Sequence, residues 1–374
     1  MALKIFHTSD LHLGIKFAGH EGAVRDTLVE ARFNCLARLV RLANANRCDL
    51  FVLAGDLFDR VDVAKRDVIR AAQALQEFEG KLVAVLPGNH DYLPPPGGEA
   101  PWAALREKGA HNLLILMERK PYDLTGFDIP AVLYPGPCTS KHSAENAVAW
   151  VRGAGIDQGI AHHIGVAHGS LDGVSPDFSK DYYPMTRAGL EACPVQMWLL
   201  GHTHIRYPDG AGAADRIFYA GTPEPDGFDC EHSGSAWIHE LADDGTRKST
   251  PVETGEYRFR HDAIALAGEQ DLAAVKACYT EPACRKLLLK LKLAGRVPEE
   301  VRARLPALRS EVEKLLFWLK WDDADVIRHI TARDINAIFS AGSFPQRLLM
   351  TLAGSPGDCE ALQEAHRMVM EVKK

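Results

Sequence analysis

The amino-acid sequence predicts an α/β fold built on a parallel sheet, followed by a smaller α+β unit. Three observations carry this. Short apolar runs alternate with amphipathic stretches through the first 90 residues, the runs LFVLA and LVAVL are apolar throughout, and the pattern changes beyond residue 255. Strand, helix, strand at this spacing implies βαβ crossovers and parallel pairing. A strand with no polar alternation implies a sheet covered on both faces. With ~100–200 residues per domain, 374 residues suit two domains.

The first strand covers residues 3–6 and runs into the polar loop HTSDLHLG. Val29, Phe33, Leu36, Val40 and Ala43 recur at spacings of four and three, predicting a helix over 26–46 with one buried face. A second strand at 50–54 stops at GDLFD. Val68, Ala71, Leu75 and Phe78 mark a second helix, and a third strand at 82–86 stops at PGNHD. From 91 to 159 the pattern loosens, with PPPGG at 94–98 as a loop. Three strand-like runs follow, 164–167, 197–200 and 217–220, ending in HGS, GHTH and GTPEP; 235–241 reads as a closing edge strand.

Residues 243–255 are polar, turn-rich and aperiodic, which places the domain boundary there, between 1–250 and 255–374. Beyond it, alternating residues predict strands at 287–293 and 315–321. Pro298 opens a short helix that Pro306 ends or kinks, and helices are predicted over 332–339 and 359–372.

Composition narrows the function classes. With 46% hydrophobic and 25% charged residues the chain can bury an ordinary core, which excludes disordered and collagen-like proteins. No stretch reaches the ~18–20 apolar residues that span a bilayer, so no membrane association is expected. The N-terminus lacks the apolar region and cleavage site of a secretory signal. Eight scattered cysteines without a CxxC pair read as reduced thiols in a cytoplasmic protein. The net charge of −7 divides into −9 over residues 1–254 and +2 over 255–374. Acidic groups concentrated in the first part suit a cation site, so the charge does not exclude a polyanionic substrate.

Five clusters carry candidate chemistry: Asp10-Leu-His12, Gly55-Asp56, Gly88-Asn89-His90-Asp91, His168 in AHGS, and Gly201-His202-Thr-His204. Each lies just past an apolar strand, the end of a parallel sheet where ligands bind. Carboxylates and imidazoles without thiolate suit borderline divalent ions such as Mn²⁺, Fe²⁺ or Zn²⁺. Asp-x-His and His-x-His place alternate side chains on one side of an extended segment. Seven ligands exceed what one ion takes while keeping an open position. Two ions ~3.5–4 Å apart that share a carboxylate fit better, and such pairs serve phosphoryl displacement.

DLH, GDLFD, GNHD, AHGS and GHTH, in this order, resemble the motif set of the calcineurin-like metallophosphoesterases over about residues 3–241. TSDLHLG, AGDLFD and YAGTPEPDGF resemble in particular bacterial DNA-repair exonucleases of the SbcD and YhaO type. The resemblance implies a four-layer α/β/β/α sandwich with a C-terminal α+β capping domain. It implies one ion on Asp10, His12 and His204, another on Asn89, His168 and His202, and Asp56 bridging. His90 matches the family's catalytic histidine, which is not a ligand. A DNA-repair nuclease with exonuclease or endonuclease action, Mn²⁺ foremost as its metal, is the activity implied. A homodimer, DNA, and a coiled-coil ATPase of the SbcC type are the implied partners.

Where archaeal and eukaryotic repair nucleases carry a histidine three residues after the bridging aspartate, this chain has Asp59. The expectation is that the Asp59 carboxylate accepts a hydrogen bond from His90 and fixes its tautomer; the competing reading has it capping the next helix. Lys16 and Arg25, near the first metal loop, are candidate phosphate contacts, against ordinary solvated surface. Asp226 falls in a substrate-side loop or a plain turn. His7, His162 and His163 read as structural. Two other activities share the motifs: a small-molecule phosphodiesterase or phosphatase, and a subunit that chiefly recruits the ATPase. A phosphoprotein phosphatase is disfavoured, because GDLFDRV and GNHD stand where its motifs are GDxxDRG and GNHE.

Overall fold

A computed structural model describes residues 2–95, 101–109, 111–210, 212, 215–355 and 359–373. The chain forms two compact units, Met1–Phe259 and Arg260–Lys374. The first unit opens with β1 (Leu3–Thr8), α1 (Gly22–Ala45), β2 (Leu50–Ala54), α2 (Lys65–Gln76), β3 (Leu82–Leu86), α3 (Pro101–Lys108) and β4 (Leu113–Ile115). It continues with β5 (Tyr122–Asp123), β6 (Ala131–Gly136), β7 (His162–His168), α4 (Arg187–Glu191), β8 (Met197–Gly201), β9 (Ile217–Tyr219), β10 (Ser235–Leu241) and β11 (Arg247–Glu253).

These strands make two sheets, ordered β11-β10-β1-β2-β3-β4 and β5-β6-β7-β8-β9. The run from β1 to β4 pairs in parallel, as does that from β6 to β9. Alternation sorts the side chains between layers. Ile5 of β1 enters the apolar layer between the sheets, with Val52, Ala84, Val166 and Leu199. Its neighbour Phe6 faces the opposite way, into a layer filled by Phe33, Leu36, Val40, Ala71, Leu75 and Trp102 from α1, α2 and α3. The outer face of the second sheet packs Tyr134 and Trp198 against Val148, Val151 and Leu190. The result is a four-layer α/β/β/α sandwich.

Three sequence expectations need correction. The loosened stretch contains β6, fully buried and paired with β7; Pro135 and Gly136 had hidden it, although the residues before them are apolar. Of the PPPGG loop, residues 96–98 lie outside the described ones. Ser235–Leu241 is not an edge strand, since β10 lies between β1 and β11. The polar segment chosen as the boundary holds that edge, β11, whose side chains are half-buried or exposed and whose order comes from antiparallel pairing with β10. A strand covered on neither face carries no apolar signal.

The second unit has a three-stranded sheet, β12 (Arg258–Leu266), β13 (Leu287–Val297) and β14 (Trp318–Arg328), with β13 central. α5 (Glu269–Ala277), α6 (Glu299–Arg302) and α7 (Leu305–Glu313) accompany it. Pro306 lies in the first turn of α7, so it begins a helix where the sequence reading had it ending one. Leu289, Leu291 and Leu293 alternate into the core, and Leu319 and Trp321 pack against it. The chain closes with α8 (Ala332–Ile338), α9 (Phe344–Ala353) and α10 (Cys359–Lys373), of which α9 was not predicted. No helix among the described residues is long and apolar enough to cross a membrane.

Candidate metal centre

The five motifs follow β1, β2, β3, β7 and β8, so the two sheets deliver their polar residues to one rim. The chain turns sharply as it leaves the strands. Asp10, His12, Asp56 and His202 all have positive φ, at 55°, 46°, 54° and 103°, a conformation that costs ~1–3 kcal/mol at non-glycine residues and concentrates at functional sites. Two glycines make room. A Cβ on Gly55 would lie 2.1 Å from His168 Nδ1, and one on Gly88 would lie 2.2 Å from Asp56 Oδ1.

The side chains gather in two groups. In the first, His12 Nε2 and His204 Nε2 stand 3.2 Å apart, and Asp10 Oδ1 is 3.9 Å from His204 Nε2. In the second, Asn89 Oδ1 lies 2.9 Å from His168 Nε2 and 3.2 Å from His202 Nδ1. Asp56 joins them, with Oδ2 3.6 Å from His12 Nε2 and 3.2 Å from His168 Nε2. Asp10, Asp56 and Asn89 are at most 1% exposed. Buried carboxylates require compensating positive charge.

Further hydrogen bonds orient these side chains. The main-chain N–H of His202 donates to Asp10 at 3.0 Å, and that of His90 to Asp56 Oδ1 at 2.9 Å. Ser9 donates its hydroxyl to Asp10 Oδ2 at 2.5 Å. His168 Nδ1 donates to the Ala54 carbonyl at 2.9 Å, and Asn89 Nδ2 to the Lys141 carbonyl at 3.3 Å, which leaves Asn89 Oδ1 facing the imidazoles.

Burial pulls the imidazoles of His12 and His202 down, His202 to about 3, which favours the neutral form that a metal would need. It works the same way on His168, but the charge of Asp56 and a hydrogen bond to it outweigh burial and carry that ring up to about 9. Asp56 is held far below the usual carboxylate range; burial alone would raise it, and His168 and His12 reverse this. A divalent ion held here would displace the His168 proton, because a ligating imidazole must be neutral. Among the described residues, Asp10–His12–His204 and Asp10–Asp56–His168 are close enough for each set to share one ion, as are His12–Asp56–His90. Imidazole, carboxylate and carboxamide donors fit borderline divalent metals.

His90 lies beside the first group, its ring edge-on to His12 with centroids 4.7 Å apart. The expectation for Asp59 is corrected. His90 Nδ1 lies 3.0 Å from the main-chain carbonyl of Asp59, whereas the Asp59 carboxylate faces Nδ1 of His12 at 3.8 Å and Arg60 at 3.5 Å. A carbonyl accepts only, so Nδ1 carries the proton and Nε2 is left free.

Lys16 and Arg25 are exposed and line one depression that begins at Gly14 and includes Arg60; Arg25 is engaged by Asp26 at 2.9 Å. His7 is structural. Its Nε2 reaches the Leu200 carbonyl of the second sheet at 3.2 Å, and its Nδ1 is 3.5 Å from His239.

Two groups escaped the sequence reading. Asp91, fully buried, accepts from Phe58 N at 2.9 Å and Gly88 N at 2.7 Å, tying the loop of Asp56 to that of Asn89. Only its place in GNHD hinted at this. Arg32, 1% exposed, lies in the buried face of α1 and pairs with Asp226 at 2.7 Å. A charge four residues from both Leu28 and Leu36 was the available signal.

Several curated proteins are similar to this chain. The Bacillus subtilis metallophosphoesterase YhaO is 29% identical over 215 residues, 54% of this chain and 49% of that protein. A Methanopyrus kandleri protein named DNA double-strand break repair protein Mre11 is 25% identical over 238 residues, 60% of this chain and 49% of its own. The chain thus spans about half the length of the curated relatives it matches. Residues 3–206 match the family described as calcineurin-like phosphoesterase, and the chain belongs to it.

Proposed function

We propose that this calcineurin-like phosphoesterase is a DNA-repair nuclease that hydrolyses phosphodiester bonds with two divalent ions, Mn²⁺ foremost. The observation that carries the reading is the position of Asp56 Oδ2 between His12 and His168, each the centre of a separate donor group. Asp10, His12 and His204 would hold one ion, Asn89, His168 and His202 the other, and Asp56 would bridge. When bound, such a pair neutralises charge on the phosphoryl group and supplies an activated water.

The chain's own residues do the rest. With Nδ1 committed to the Asp59 carbonyl, His90 would act as imidazolium, its Nε2–H donating to a phosphoryl oxygen or passing its proton to the departing alkoxide. The similarity to a protein named for double-strand break repair supports DNA as the substrate. A homodimer, a coiled-coil ATPase partner and a cytoplasmic setting belong to the same proposal; light scattering on the purified chain tests the first.

The deciding experiment is Mn²⁺-dependent digestion of end-labelled single- and double-stranded DNA, beside bis-p-nitrophenyl phosphate and a phosphomonoester, with His90→Ala as control. The proposal expects DNA products that require His90. Cleavage of the small diester with no DNA product would instead make the chain a small-molecule phosphodiesterase.

A further inference from the structure

Among the expected ligands, His204 is partly exposed. Its side chain is 36% exposed, against 4% for His12 and none for His168. What faces the outer edge of its ring is Asp226, whose Oδ2 stands 3.6 Å from His204 Nδ1. The same oxygen is 2.7 Å from Nη2 of Arg32, and the Asp226 Oδ1 accepts the Cys230 thiol at 3.2 Å. The opposite ring edge, Nε2, is the one directed at His12 and Asp10. Arg32 also reaches the other side of this group. Its Nη1 donates to Thr222 Oγ1 at 3.1 Å, and that hydroxyl stands 3.0 Å from the Asp10 carbonyl as its donor.

We infer that Asp226, anchored by Arg32, is a positioning residue that turns His204 so that Nε2 is presented to the metal centre. This rests on the two-ion reading above. An imidazole ligand needs a partner on its second nitrogen to fix tautomer and orientation, and Asp226 is the carboxylate placed there, at ion-pair distance rather than in a formed hydrogen bond. Asp226 is not itself arranged as a ligand, although His204, Asp226 and Cys230 lie close enough together to suggest it. Both its oxygens are engaged, and the guanidinium of Arg32 repels a cation from the nearer one.

The test is Mn²⁺ binding by titration calorimetry on the full chain, without substrate. Wild type is expected to take two ions. Asp226→Asn should weaken one by about 10- to 100-fold and leave the other unchanged, a split that a general loss of structure would not produce. The double variant Arg32→Gln/Asp226→Asn leaves no unpaired buried charge; it should show the same single loss, and it decides the matter if Asp226→Asn does not fold. Cys230→Ser keeps a donor to Oδ1 and should bind both ions normally. Two ions bound as in wild type by the Asp226 variants would overturn this inference alone. So would loss of an ion in Cys230→Ser, which would make His204, Asp226 and Cys230 a metal-binding set in their own right. A wild-type chain that binds no Mn²⁺ removes the metal centre and this inference together.

Discussion

The main-chain carbonyl of Asp59 stands 3.0 Å from Nδ1 of His90, while the Asp59 carboxylate turns away toward His12 and Arg60. The ring of His90 is thus held by backbone, and a side-chain substitution at 59 leaves the acceptor in place.

From this follows a ranking of two variants. His90→Ala should lower kcat on bis-p-nitrophenyl phosphate by about 10²–10⁴-fold, the usual worth of a positioned acid–base group. Asp59→Asn should lower it less, by no more than the ~10–100-fold of an outer-shell partner, since its carboxylate neighbours His12 Nδ1 at 3.8 Å and the main-chain acceptor of His90 stays in place. Steady-state kinetics on both decides; an Asp59→Asn variant as impaired as His90→Ala would restore the side-chain role.

Asp91 is the tie between two ligand loops. Asp91→Ala would leave the N–H groups of Phe58 and Gly88 buried without an acceptor, at ~1–3 kcal/mol each. A loss of about 2–6 kcal/mol in urea unfolding is expected, together with weaker Mn²⁺ uptake. Unchanged unfolding would mean that the loops are held by something else.

The buried pair His7 and His239 sets an acid limit on stability. Burial lowers His7 to about 3 and His239 well below its ordinary value. The unfolded chain binds protons at these rings below about pH 6.5, which the folded chain refuses. Their contribution is therefore fully present above that pH and shrinks as pH falls toward 3, by roughly 1.4 kcal/mol per unit for each ring. Urea midpoints from pH 7.5 to 4.5 should decline, and less steeply in His239→Gln. An identical slope in that variant would place the acid sensitivity elsewhere.

Gly55→Ala should damage both fold and centre. The residue has φ +93°, and the added methyl would lie 2.1 Å from His168 Nδ1, so either the backbone strains or the imidazole moves. A stability loss above about 1 kcal/mol and weakened Mn²⁺ uptake are the expected results, read by thermal unfolding and calorimetry. Wild-type behaviour in both would show that the loop has slack.

How far the sequence revealed this can be traced residue by residue. β2 and β3 were legible to their end residues because each is wholly apolar and bracketed by polar loops. The rim position of Asp10, Asp56, Asn89, His168 and His202 followed from the same punctuation. β11 was hidden because pairing with β10, and no pattern of its own, makes it a strand. The Arg32–Asp226 pair joins α1 to a loop distant in sequence, and local periodicity says nothing about such partners. For Asp59 the reading named the right residue and the wrong atom, since main-chain acceptors are the same in every residue.

Asp10, His12, Asp56 and Asn89 hang from one sheet, and His168, His202 and His204 from the other. Neither half owns a complete set of donors. Cations seated across that seam would rivet the two halves together at the rim, where hydrophobic packing gives way to polar loops. Chelation should accordingly loosen the joint between the layers before it unravels any single strand.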